Sequence, residues 1–333
     1  MEAGDNLTRP FGRTPSTGMA GDSREAEGTE RFADPCRWAA MLVALWLAAA
    51  SASAQDMSPR TYWPAPTGTR VTVVGYSYAR GDVLFDPSIP LYGVDSKLND
   101  GVLGYLQTFN IRGRTANALF ELPYSKGTTV GSVGATPASG NFSGLADIGA
   151  TLSMNIFGAP AMTPDDFQAL RADPHAILGA SLKVVAPTGE YHADRLLNVG
   201  GNRWAVRPQI GYILPVTTKF HLELEAGAWF FGDDDDYVAG RREQDPVFSL
   251  DVHFVRRFRP GFWASLNVNY FTGGRQTIGG KRLDDVQRNS RLGGTIVVPF
   301  RRRNAIKIAY ATGMITKFGT DFDRIVLSYQ RVL

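Results

Sequence analysis

From about residue 69 onward, apolar and polar residues alternate at every second position, which is the period of a β-strand and not of a helix. Phe220 to Phe231 is the clearest case. Phe220, Leu222, Leu224, Ala226, Ala228 and Phe230 fall on one face; His221, Glu223, Glu225, Gly227 and Trp229 fall on the other. Phe262, Ala264, Leu266, Val268 and Tyr270 likewise oppose Trp263, Ser265, Asn267 and Asn269. Such segments predict twelve strands, near 69–79, 101–111, 114–124, 145–157, 176–186, 203–214, 219–231, 246–257, 262–272, 289–300, 304–314 and 322–333.

The connections add independent information. Alternate ones are long (80–100, 125–144, 187–202, 232–245 and 273–288), whereas Arg112-Gly113, 215–218, 258–261 and 301–303 are short. Tight turns at one end and long loops at the other are the mark of a transmembrane barrel with its turns in the periplasm. The segment 158–175 is long but lies on the turn side. Thr163-Pro164-Asp165-Asp166 supplies an N-cap, a proline at N1 and first-turn acids, so a short periplasmic helix is predicted near 164–171. A soluble β-sandwich also has alternating strands. The even strand count and the aromatics near strand ends on the apolar face (Tyr124, Trp204, Tyr212, Phe220, Phe230, Phe248, Phe262, Tyr270, Phe300, Tyr329) favour the barrel. The last predicted strand runs to Leu333, with Arg331 interrupting its apolar face. The expectation is an all-β, twelve-stranded antiparallel transmembrane β-barrel with one periplasmic helix.

The N-terminal region follows a different pattern. Arg37, the apolar run 38–50 and Ala52-Ser53-Ala54 read in order as a secretory signal peptide cleaved near 54/55. Residues 1–36 are polar and without periodicity, as if initiation lay further downstream. The chain is therefore read as a leader, 1–54, and a barrel domain, 55–333. The 333-residue chain carries 35 Lys+Arg and 32 Asp+Glu, a net charge of +3 that does not suggest nucleic-acid binding. Its one cysteine, Cys36, lies in the leader, which excludes a disulfide framework and cysteine-based metal sites in the mature chain. No apolar run reaches the roughly 18 residues of a membrane-spanning helix.

Several short glycine-bearing phrases, in their order, resemble a known family. They are Gly144-Leu145-Ala146-Asp147, Pro187-Thr188-Gly189-Glu190-Tyr191, 197–204, Tyr270-Phe271-Thr272-Gly273-Gly274, Arg291-Leu292-Gly293-Gly294-Thr295 and Thr316-Lys317-Phe318-Gly319. The chain resembles, over about 101–333, the outer-membrane proteins associated with the meta-cleavage pathway of phenol degradation. The resemblance implies a bacterial outer-membrane barrel that helps aromatic or other hydrophobic compounds enter the cell. It carries no catalytic residues with it.

If the apolar faces meet lipid, parity turns the polar faces into the lumen. The candidate lumen-lining residues are Glu121, Asp147, Lys183, Arg207, His221, Glu223, Glu225, Asp251, His253, Arg291 and Lys307. A charge facing hydrocarbon at the midplane costs about 2–4 kcal/mol, which makes this assignment compulsory for a barrel. Either these groups form a polar conduit, or they pair and fill a narrow barrel that Trp229 and Trp263 also help to close. A hydrolase would need a serine near a histidine and an orienting group. His175, His192, His221 and His253 are available, with Ser249, Ser265 and Asn267 near His253, but no G-x-S-x-G phrase occurs. Asp233 to Asp236 read as a solvated external loop, with cation bridging to lipopolysaccharide as the sharper alternative. The arginines at 256, 257, 259 and 301–303 read as a turn-side rim. The expected function is passive passage of small hydrophobic or aromatic compounds without catalysis, metal or cofactor. The alternatives are a non-conducting structural or adhesive barrel and an outer-membrane hydrolase. Expected partners are outer-membrane lipid and lipopolysaccharide, the solute and the outer-membrane assembly machinery.

Overall fold

The structure, a computed structural model, describes residues 57–84, 91–133, 136–194, 198–237 and 240–333. The predicted leader 1–54, its cleavage point and Cys36 lie outside the described residues.

Twelve staves form one antiparallel barrel. They are β1 (Arg70–Leu84), β2 (Leu91–Ile111), β3 (Arg114–Val133), a fourth stave broken into β4 (Thr136–Leu145) and β5 (Gly149–Phe157), β6 (Ile177–Val185), β7 (Ala205–Pro215), β8 (Phe220–Phe231), β10 (Val247–Arg259), β11 (Phe262–Gly273), β14 (Gln287–Pro299), β15 (Asn304–Ile315) and β16 (Gly319–Val332). Each stave pairs with the next, and β1 pairs with β16 from Val71 opposite Val332 to Leu84 opposite Gly319, so the sheet closes on itself. Closure leaves no unpaired edge in the hydrocarbon region, where an unsatisfied backbone group costs several kcal/mol. β9 (Arg242–Gln244), β12 (Gln276–Ile278) and β13 (Lys281–Arg282) make a separate three-stranded sheet in the long loops.

The alternation predicts which way each side chain points. Leu103, Phe120, Leu182, Phe248, Leu266 and Leu327 are exposed on the outside of the barrel, where lipid would cover them. Tyr124, Trp204, Phe220, Phe230, Phe248 and Tyr270 stand on the same face near stave ends, as aromatic girdles do. Among the described residues no helix is long and apolar enough to cross a membrane.

The turns are as short as predicted. Arg112 and Gly113 both have positive φ, 49° and 79°, which is the two-residue hairpin geometry that matches strand twist. The predicted helix is α1 (Pro164–Ala172). Thr163 Oγ1 accepts from the Asp166 backbone N at 3.2 Å, and the Asp166 carboxylate accepts from the Thr163 backbone N at 2.9 Å. This reciprocal pair satisfies two of the free donors at the helix start.

Two expectations need correction. The loops expected at 80–100 and 125–144 are mostly strand, because β2 begins at Leu91 and β3 runs to Val133. The extensions are held by polar pairs such as Ser96 with Thr129 at 2.8 Å and Thr128 with Asn141 at 2.7 Å. The inward face there is polar even where it is buried, as at Ser96 and Thr129, so backbone pairing persists without any apolar alternation to reveal it. The strand expected at 145–157 is interrupted at 146–148, where the backbone turns to meet the loop at 186–204.

Candidate functional site

The segment before β1 occupies the lumen. Residues 57–66 run from inside the barrel down to the turn end, and nearly all of them are buried. Trp63 stacks on His221, with ring centroids 4.6 Å apart, and joins Tyr62, Met162, Phe167, Leu170, Ile177 and Ile213 in one apolar cluster. Tyr62 donates to or accepts from Ser181 Oγ at 2.9 Å, and its ring lies over Gly179 and Gly211, where a Cβ would collide with it. The Arg60 backbone N donates to Glu223 Oε2 at 2.6 Å, and its guanidinium lies 4.8 Å and 5.4 Å from the ring centres of Trp63 and Trp263. Met57 reaches Gly293, halfway along β14. Turn-side apolar packing of Ala65, Val71, Val73, Val255, Trp263, Val297, Ala305 and Val332 completes this end. The strand alternation alone does not reveal this strap. Its signal was the run Tyr62-Trp63-Pro64-Ala65-Pro66, aromatic and apolar but unable to form a strand interior because of its prolines.

The structure buries ten of the eleven lumen candidates, and Arg207 is half-buried. Lys183 Nζ reaches Glu121 Oε2 at 2.8 Å. Arg207 Nη2 reaches Asp251 Oδ2 at 3.3 Å and Ser249 Oγ at 3.0 Å, while Asn269 donates to the other Asp251 oxygen at 2.7 Å. Glu225 accepts from Gln209, and Arg291 donates to the Thr320 carbonyl at 3.1 Å. Glu223 holds the strap and His221 is covered by it; Lys307 is buried on β15. Asp147 has a different position from the others. It sits in the break between β4 and β5, and its two oxygens accept from Gly189 N at 2.8 Å and Gly201 N at 2.7 Å. The carboxylate thereby fixes both ends of the loop at 186–204. Gly189 and Gly200 touch backbone to backbone there, and a Cβ on Gly200 would sit 2.8 Å from the Gly189 carbonyl carbon.

The four histidines are not drawn to serines. His253 Nδ1 bonds Asn267 Oδ1 at 3.0 Å, and Asn267 donates in turn to Thr295 at 3.0 Å. His253 Nε2 has no partner, Ser249 is bound by Arg207, and Ser265 Oγ makes no hydrogen bond. His175 meets the Gly158 carbonyl at 2.7 Å, and the His192 backbone pairs with Asn198. Among the described residues no cluster of three or more metal-ligating side chains occurs.

The outer half of the lumen is open by contrast. A cavity of 210 Å³ lies beside Asp100, Arg324 and Phe142. A second, of 370 Å³, is lined by Asp147, Tyr191, Arg203, Trp229, Phe231, Tyr237 and Arg242. Residues 198 and 199 border both, so the loop at 186–204 divides them. The acidic run at 233–236 does not behave as one solvated stretch. Asp234 is fully buried and accepts from Tyr191 Oη at 2.9 Å, Asn202 Nδ2 at 2.8 Å and Arg242 Nη2 at 3.4 Å. Asp233 and Asp235 pair with Arg241. No sequence signal distinguishes Asp234 from its three acidic neighbours; tertiary contacts alone select it. Burial and then the Asp234 hydrogen bond push the Tyr191 phenol up to about 12. Burial, with Arg242 beside it, lowers the Arg203 guanidinium to about 9, still protonated at neutral pH.

No curated protein matches the chain in sequence. An outer membrane channel from Pseudomonas putida F1 shares its fold, with a TM-score of 0.72 and 24% identity over 84% of this chain and 100% of the other. The β domain of the Bordetella autotransporter BrkA aligns at a TM-score of 0.49 and 10% identity, covering 80% of this chain and 100% of that one. The NanC porin aligns at 0.47 and 8%, covering 79% and 100%. The sequence over residues 65–314 matches the family described as "Putative MetA-pathway of phenol degradation". A closed twelve-stranded barrel with a lipid-facing apolar exterior, matched over most of its length, belongs to that family.

Proposed function

We propose that this chain is an outer-membrane channel for passive uptake of small hydrophobic or aromatic compounds. The observation that carries the reading is the aromatic-walled space of 370 Å³ in the outer half of the lumen. Tyr191, Trp229, Phe231 and Tyr237 give it ring faces, and Asp147, Arg203 and Arg242 supply polar groups to orient a solute. The family description, which names phenol degradation, supports aromatic over sugar-like solutes. In this reading solute enters from the long-loop end and leaves past the strap. Lys183, Glu121, Arg207, Asp251 and the other inward polar side chains line its route. The mature chain begins at Gln55 after export, and the barrel is inserted by the outer-membrane assembly machinery among lipid and lipopolysaccharide.

The test is reconstitution. In planar bilayers the folded protein is expected to carry a small ion current, which an aromatic solute added on the long-loop side reduces. A folded barrel that conducts nothing and passes no solute in liposome swelling would overturn the proposal. That result would favour a non-conducting structural barrel, a reading for which the buried strap is the specific support. Mass spectrometry of exported protein would check the start at Gln55.

A further inference from the structure

The cavity of 370 Å³ has a chemical bias that its aromatic walls do not explain. Two guanidiniums and an indole border it, and each has a buried N–H without an acceptor: Arg203 Nη1, Arg242 Nε and Trp229 Nε1. Trp229 is only 4% exposed. A buried donor left unpaired costs about 1–3 kcal/mol, and more when the group is charged. The acids nearby do not answer these three atoms. Both Asp147 oxygens accept backbone N–H groups of the loop. Asp234 accepts from Tyr191, Asn202 and a different nitrogen of Arg242. The second Arg203 nitrogen is taken by Gln244.

The aromatic groups fix the guanidiniums in place. Arg203 lies 4.6 Å from the centre of the Phe231 ring, and Arg242 lies 4.7 Å from that of Tyr237. Each guanidinium thus sits within cation–π range of a ring, which restrains it while Arg203 Nη1 and Arg242 Nε stay without an acceptor. A guanidinium with an unanswered N–H favours a carboxylate, which accepts a charge-assisted hydrogen bond. Flat apolar walls favour an aromatic ring. Volume sets the limit: 370 Å³ lies near the lower end of small-molecule pockets, room for a single-ring compound.

We propose that this cavity is a binding station for single-ring aromatic carboxylates, with Arg203 as the main carboxylate partner and Trp229 as an accessory donor. The proposal rests on the channel reading for its biological use, but binding itself does not depend on passage.

The experiment is equilibrium binding to the folded, detergent-solubilised barrel, followed by calorimetry and tryptophan fluorescence, with benzoate as probe. Benzyl alcohol, which keeps the ring and lacks the charge, is the comparison. Benzoate is expected to bind at least tenfold more tightly than benzyl alcohol. Arg203→Gln should weaken benzoate about tenfold or more and leave benzyl alcohol unchanged, since a charge-assisted bond is lost. Trp229→Phe keeps a ring and removes the N–H; a severalfold loss of benzoate affinity is expected. Each variant is first shown to be folded by its shift in gel mobility on boiling. Equal affinity for the two probes, no benzoate binding at millimolar concentration, or indifference to both substitutions would overturn the proposal. Benzoate binding in a barrel that carries no current would overturn the channel reading and leave this one standing.

Discussion

The two halves of the lumen are built on opposite principles. At the turn end, residues 57–66 and α1 bring Tyr62, Trp63, Phe167 and Leu170 against Ile177 and Ile213, so the barrel there is packed like the core of a soluble domain. At the long-loop end lie cavities of 210 and 370 Å³ whose walls mix rings with arginines; Asn198 and Val199 border both, and Tyr237 and Arg242 border the larger. The same staves run through both halves. Packing density, not strand geometry, therefore separates the closed end from the receptive end, and the separating element is a short strap that contributes no stave.

Removing the strap should give the largest effect. Deletion of 57–63 takes out Trp63 and Tyr62 together and should raise single-channel conductance severalfold, while the mobility shift on boiling survives because the staves are untouched. Unchanged conductance would mean that the turn end is not the seal. A finer cut is Gly211→Ala, since a Cβ there would meet the Tyr62 ring. The ring must move, and a conductance between those of the parent and the deletion is expected. Next comes Glu223→Ala, which strips the acceptor from the Arg60 backbone N. Stranding that donor costs about 2 kcal/mol, so hydrogen exchange of strap amides should quicken roughly thirtyfold. Exchange at the outer loop should not change, and a change there would show that the halves are coupled.

The matching cut at the outer end is Asp147→Asn. One of two backbone acceptors is lost, worth about 1.5–3 kcal/mol for a charged partner, and the Gly189 and Gly201 amides should lose protection while strap amides keep theirs. The smallest effect is expected from Thr163→Ala, which removes the cap of α1 at about 1 kcal/mol. Faster exchange in the helix, with conductance near the parent value, would show that α1 supports the seal without being part of it.

Much of the barrel was legible because the membrane enforces it. Phe248, Leu250 and Phe254 against Ser249, Asp251 and His253 could take only one orientation, since a strand side chain has two directions and one of them is hydrocarbon. The cap of α1 was legible for a local reason, because Thr163 and Asp166 satisfy each other within one turn. The extended rims of β2 and β3 were not, because their inward face is built from polar residues such as Ser96 and Thr129, which removes the apolar alternation. The burial of Asp234 and the resting place of the strap were illegible for a third reason. Their partners are distant in sequence: Tyr191 and Asn202 for Asp234, Glu223 and Ser181 for the strap.

What the sequence determines by itself is therefore the set of properties with a local or two-valued cause: twelve staves, their inward and outward faces, the tight turns and the capped helix. What only the tertiary structure decides is occupancy. Whether the lumen is filled or hollow depends on where a proline-rich segment of ten residues, 57–66, comes to rest, and on which charges spend their hydrogen bonds on each other. Those outcomes depend on distances between residues far apart along the chain, and no periodicity encodes them.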